Sequence, residues 1–269
     1  MLGSGFVQSL RRNRHDVHVW NRTAQKAKAL EDCGAVAFTD AAACARGASR
    51  VHLCLADDAA VDATIAALLP GLAPGVPIID HTTVSVAGVL EREAHLRAQN
   101  IPFLHAPVFM GPPQSLAATG TMLVSGDQAR IDALRSQLEE MTGTLRNLGS
   151  RVDAAAVYKL MGNAMILAVI GGLHDILEIA KAAKFTPEQA FGLFDFYDPS
   201  GQISGRGKRM FFDDREVTWS LAMARKDAGL MQAAAAHPLP VIDAVCAMLD
   251  RGIAENLGAE DLSALARVR

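Results

Sequence analysis

Lys159 and Asn163 stand four residues apart near the head of the most apolar stretch of the chain, which begins Val157-Tyr158-Lys159-Leu160-Met161-Gly162-Asn163. On a helix that spacing puts the ammonium and the carboxamide one turn apart on the same face. Together they form a donor pair aimed at something polar. The plainer reading is a lysine that carries its charge to solvent along its apolar stem, beside a satisfied core amide. The pair alone leaves both readings open.

Further candidates follow from where strands must end. In an open parallel sheet, ligands bind beyond the carboxyl ends of the strands. The residues at those positions are Asn21-Arg22-Thr23, Leu55-Ala56-Asp57, Thr82-Thr83 and Pro107 to Gly111. Arg22 reads equally as a solvated turn residue. After the second strand of a dinucleotide fold, however, an acid would accept from the 2′-hydroxyl of NAD, whereas an arginine suits the 2′-phosphate of NADP. The chain has Arg22 and no acid there, which favours NADP. Gly3 can serve as the third glycine of a phosphate-binding turn, where it lets helix and strand pack closely. Gly3-x-Gly5 by itself is a weak signal.

The elements that must position these residues repeat. Alternating Asp16–Trp20 predicts a strand, and Thr23 is placed to cap a helix over 24–33. Strands are expected at 35–38, 50–55, 77–80, 103–106, 122–125 and 144–148, with helices at 3–12, 40–47, 57–69, 85–99 and 128–141. Strand and helix alternating at this interval predict a parallel sheet with helices on both faces. After Gly149 only helical patterns remain, at 153–183, 187–195, 217–236, 240–255 and 259–266. The stretch from Asp153 to Ala183 has no proline and predicts one long, largely buried helix. The expected domains are therefore 1–150, α/β and dinucleotide-binding, and 151–269, all-helical.

Composition narrows the class. The chain has 269 residues, 50% of them hydrophobic, and a formal charge of −3. That supports a substantial core and gives no basic excess for nucleic acid or an acidic membrane. Cys33, Cys44, Cys54 and Cys246 show no metal-ligand spacing and fit a reduced, cytoplasmic protein. No metal site is expected. The apolar run 164–173 is too short, and too soon followed by His174, Asp175 and Glu178, to predict a membrane span. The helical half carries more apolar surface than a short bundle buries, so a homodimer or larger assembly through it is expected.

With these residues in view, the chain resembles the β-hydroxyacid dehydrogenase family, which includes 3-hydroxyisobutyrate and 6-phosphogluconate dehydrogenases, with imine reductases as relatives. Val19-Trp20-Asn21-Arg22-Thr23, Cys54-Leu55-Ala56-Asp57-Asp58, Asp80-His81-Thr82-Thr83-Val84-Ser85, Tyr158–Asn163 and Lys226-Asp227-Ala228-Gly229-Leu230 are similar to its motifs, in order and at family spacing. The resemblance implies a Rossmann-type doubly wound sheet followed by an all-α domain built on one long helix. It implies a nicotinamide cofactor, NADP or NAD, and a small hydroxy acid or aldehyde substrate. Lys159 would be the general acid and base, and Asn163 would hold the substrate oxygen. Gly3, Asn21, Arg22, Thr23, Leu55, Ala56, Ala60 and Thr83 would line the cofactor path, with Lys226 at the nicotinamide end.

Two departures bear on this. Phe109-Met110-Gly111 stands where the family has Ser-Gly-Gly, the segment that clasps a substrate carboxylate, so a bulkier or less charged substrate is expected there. The first strand and most of the glycine-rich turn are also missing. The expectation is that Met1 is an internal methionine and that about ten further residues precede it, a short strand and its turn. Cofactor binding by the chain as given should then be weak. An imine reductase, or a scaffold that keeps the fold without binding cofactor, remains the alternative.

Overall fold

The computed structural model describes residues 2–213 and 215–268. Met1, and with it the expectation about the start of the chain, lies outside them. The chain divides into two compact units, Met1–Asn163 and Ala164–Arg269. The division falls inside the long helix, thirteen residues beyond the expected boundary at 150.

The first unit runs α1 (Leu2–Arg12), β1 (His18–Trp20), α2 (Ala24–Lys28), β2 (Val36–Phe38), α3 (Ala41–Ala45), β3 (Val51–Leu53), α4 (Asp58–Leu68), β4 (Ile78–Asp80) and α5 (Val86–Ala98). It continues through β5 (Phe103–His105), β6 (Val108–Phe109), α6 (Pro112–Ala117), β7 (Thr121–Val124), α7 (Gln128–Glu139) and β8 (Thr144–Asn147). β1 pairs with β2 in parallel, and β3, β4 and β5 form a parallel sheet in that order. β6 lies antiparallel to β7, which is parallel to β8. The second edges of β1 and β3 meet no strand among the described residues.

Period-two alternation explains the double winding. Ile79 and Leu104 point to one face, where Phe6 and Leu10 of α1 and Ile131, Leu134 and Leu138 of α7 cover them. Their neighbours Ile78 and Phe103 point to the other, against Val61 and Ile65 of α4 and Val89 and Leu96 of α5. The chain has the Rossmann-type parallel sheet that its pattern predicts. Helix starts follow from short polar side chains: Asp40, Asp57, Ser85 and Asp127 each accept the backbone N–H three residues on.

Several local expectations change. Thr23 occupies the cap position of α2 but makes no capping bond; Asn21 Oδ1 instead accepts Thr23 N–H at 2.9 Å and closes the turn. The helix expected over 24–33 stops at Lys28 and resumes as a 3₁₀ turn, Glu31–Cys33, ended by Gly34 at φ 87°. β6 and α6 went unforeseen because two residues of strand and a Pro-Pro helix start carry no periodicity.

The long helix α8 (Ala154–Ala182) forms where expected, followed by α9 (Pro187–Phe191), α10 (Ser200–Gln202), α11 (Lys208–Phe212), α12 (Leu221–Ala234) and α13 (Pro240–Ala254). Among the described residues beyond Gly149 there is no strand, only the bridge between Ser220 and Asp261. The expectation of a largely buried α8 is overturned. Ala154, Ala155 and Ala156 are buried at its head, but Met161, Leu167 and Ile170 are 54%, 72% and 60% exposed. The physical reason is that α8 is apolar on every side, so its neighbours in one chain can cover only part of it. By length and composition α8 could also cross a membrane, contrary to the reading of 164–173 alone.

Within the second unit, α8 is tied by a carboxylate. Asp175, 2% exposed, accepts Val241 and Ile242 N–H at 3.0 and 2.8 Å at the start of α13. Those amides have no intrahelical partner. Replacing Asp175 by Ala should therefore cost about 1.5–3 kcal/mol, and by Asn less, as read by the urea midpoint.

Candidate active site

Parallel pairing in register sets Leu53, Asp80 and His105 side by side at the carboxyl ends of β3, β4 and β5. The loops beyond them are locked to one another. Thr82 Oγ1 accepts Leu55 N–H at 3.0 Å, and Asp80 Oδ1 accepts Thr82 N–H at 2.9 Å. Asp58 Oδ2 accepts Ser85 N–H at 2.9 Å, while the Arg92 guanidinium holds Asp58 and Asp62 at 3.1 and 2.7 Å. Leu55, Ala56, Ala60 and Thr83 are thus carried on a braced rim, with Ala56 and Thr83 exposed. Gly3, in the first turn of α1, comes so close to the end of β3 that a Cβ there would stand 3.2 Å from Cys54 Cβ.

At the end of β1, the Asn21 turn leaves Arg22 and Thr23 exposed. Arg22 makes no ion pair or hydrogen bond among the described residues. A free guanidinium, and the acid-free amino end of α1, fit the phosphates of a nicotinamide dinucleotide. Lys226 lies in the second unit on α12, exposed and paired with Asp227 Oδ1 at 2.9 Å.

Lys159 and Asn163 sit on α8 within the first unit, each partly buried. Burial lowers the Lys159 ammonium below its usual pKa, and no charged neighbour contributes to the shift. The Phe109 ring lies close to it, with Nζ 4.3 Å from the ring centroid. Met110 packs against the core on the α1 and α7 face, and Gly111 N–H already donates to Gln114 Oε1 at 2.9 Å. Phe109 and Met110 therefore meet the site as apolar surface, and the Gly111 amide is taken.

A family model, the NAD binding domain of 6-phosphogluconate dehydrogenase, matches residues 1–149. The chain belongs to this family. As an NAD(P)-binding oxidoreductase it is 27% identical over 235 residues to an uncharacterized oxidoreductase of Shewanella frigidimarina, across 86% of this chain and 80% of that protein. It is 25% identical over 186 residues to the mitochondrial 3-hydroxyisobutyrate dehydrogenase of Drosophila melanogaster, across 66% of this chain and 55% of that protein. In fold it is similar to an imine reductase from Myxococcus stipitatus solved with NADP+, with TM-score 0.88 and 18% identity over 99% and 96% of the two chains.

Sequence reasoning missed a buried histidine chain beneath the rim. Arg50 Nε donates to His52 Nε2 at 3.1 Å; since Arg only donates, the His52 proton is on Nδ1. That proton is given to His81 Nε2 at 2.9 Å, which places the His81 proton on Nδ1, where it is donated to the Ala106 carbonyl at 2.7 Å. His105 donates from Nε2 to the Thr82 carbonyl at 3.0 Å. Histidines recurring at the ends of adjacent strands were the available signal.

The chain requires neutral rings. Burial holds His81 and His105 down to about 4, and drives His52 well below its usual value. The unfolded state therefore binds protons that the folded state refuses, so stability is full above about pH 6.5 and falls as pH drops toward 4. Asp80, pushed up to about 6 by burial, takes up a proton on folding in the same range and offsets part of that loss. The urea midpoint should fall between pH 6.5 and 4, with up to about 3 kcal/mol at stake for each of His81 and His105. His81→Asn should flatten that slope while lowering stability at pH 7.5.

Proposed function

We propose that the protein is an NADP-preferring reductase that delivers hydride to the carbonyl of a small aldehyde or ketone, and runs in reverse on the corresponding alcohol. The observation that carries this reading is the Lys159 ammonium, partly buried, desolvated and, among the described residues, without a carboxylate partner. A lysine in that state gives up its proton nearer neutrality than a solvated one. The cofactor, when bound, supplies the hydride. Lys159 donates a proton from Nζ to the oxygen that gains charge, and takes it back in the alcohol direction. Asn163, one turn on, holds that oxygen in line through its amide.

Gly3, Asn21, Arg22, Thr23, Leu55, Ala56, Ala60, Thr83 and Lys226 are proposed to hold the cofactor, with Arg22 selecting the 2′-phosphate. Reduction of an imine is the second reading, favoured by the apolar Phe109 and Met110. The exposed apolar length of α8 supports assembly as a homodimer or larger oligomer through the helical unit, and four unpaired cysteines suit a cytoplasmic setting.

Titration with NADPH, followed by its fluorescence, tests cofactor binding; no binding would leave the scaffold reading in its place. Arg22→Glu should weaken NADPH roughly 10- to 100-fold and NADH much less, since a charge-assisted phosphate contact becomes a repulsion. Lys159→Ala should lower kcat by on the order of 10²–10⁴ with NADPH affinity unaltered. Run on aldehydes, ketones and cyclic imines, the same assay separates the two readings. Full activity in that variant would remove the lysine from the mechanism.

A further inference from the structure

Phe109 is held in place from below. A Cβ at Gly162 would stand 2.3 Å from Phe109 Cζ and 2.6 Å from Cε1, so the absence of a side chain there leaves a notch that the ring occupies. From that seat the ring presents its face to Lys159, three residues earlier on the same helix, at 4.3 Å. Lys159, Gly162 and Phe109 thus form one packed unit made by α8 and the end of β6.

We propose that Phe109 is a positioning and specificity-determining residue. Seated on Gly162, it holds the Lys159 ammonium face-on and makes this end of the site select neutral carbonyl substrates over carboxylate-bearing ones. The inference rests on Lys159 acting as proton donor.

Three observations carry it. An ammonium over an aromatic face is attracted to the negative π-cloud, which restrains a side chain otherwise free to rotate. A carboxylate approaching the same cation meets that cloud as repulsion and must be stripped of water against the apolar Phe109 and Met110. The neighbouring amide that could help, Gly111 N–H, is already bonded to Gln114. No carboxylate pairs with Lys159 among the described residues; Asp153, at the start of its helix, is bound to Arg151 at 2.6 Å. A neutral carbonyl needs only the proton and loses little on desolvation.

The ring and burial act on the ammonium in opposite senses: burial favours the neutral amine, the ring favours the cation. That gives a readout independent of turnover. The chain has seven lysines, and ¹³C-dimethylation followed by NMR titration, with Lys159→Met to assign the signal, reports the Lys159 pKa. Phe109→Leu keeps apolar volume and removes the π face, so the pKa should fall by roughly 0.5–1 unit. Phe109→Tyr should leave it in place.

Selectivity is read as the ratio of kcat/KM for butanal to that for succinic semialdehyde, which differ by the terminal carboxylate. Phe109→Ser should lower the ratio at least tenfold. Gly162→Ala should lower it too in the native background, and change nothing further once Phe109 is Ser, because the two act as one unit. An unchanged pKa in Phe109→Leu would overturn the positioning role, and an unchanged ratio in Phe109→Ser the specificity role. If no carbonyl is reduced by the native protein, the reductase reading fails, while the titration still decides whether the ring holds the lysine.

Discussion

The in-register pairing of β3, β4 and β5 is the constraint on which the rest of the first unit depends. It brings Leu53, Asp80 and His105 abreast, so the three following loops start from one line. Two bonds, Leu55 to Thr82 and Ser85 to Asp58, tie the loop after β3 to the loop after β4, and His81 and His105 bond across between the ends of β4 and β5. A slip of one residue would reverse the faces of Ile78 and Ile79, and so expose one layer of core while breaking every tie. The position of the rim is therefore fixed by the core, not by the loops themselves. This is also why polar groups can be buried beneath it: backbone carbonyls and an arginine stand at set distances to satisfy both ring nitrogens of His52 and His81, and Nε2 of His105.

Much of this was legible in the sequence, and the parts that were not share a cause. Although the cap expected at Thr23 makes no capping bond, strand positions followed from runs such as Pro77–Asp80, because alternation is local. The Lys159–Asn163 spacing was legible for the same reason. Phe109 shows in the sequence as an apolar side chain, but its contact with Lys159 joins residues fifty positions apart, and no local pattern encodes that distance. The histidine chain went unseen because its members sit in or just beyond different strands and mean nothing until register aligns them. The burial of α8 was misjudged since apolar composition states that a surface needs covering, not what covers it.

The site also shows how one substitution changes two properties at once. A small hydroxylated residue at position 109 would leave the cation free and supply a donor, whereas phenylalanine takes away the donor and occupies the cation. Both effects push toward neutral ligands, and neither needs a change in the sheet or in α8. Gly162 makes the exchange sterically possible. With alanine there, the ring would have no seat in the packed unit, and the helix would have to shift against β6.

That pairing bears on how Lys159 can work. Desolvation lowers its pKa and favours the neutral amine, which has no proton to donate. The aromatic face resists that shift and restricts the side chain, while the group remains short of full hydration. A donor in that condition is both loaded and ready to release its proton to an oxygen that acquires negative charge. Burial supplies the acidity and the ring supplies the occupancy. The two act in opposite senses, burial toward release of the proton and the ring toward its retention.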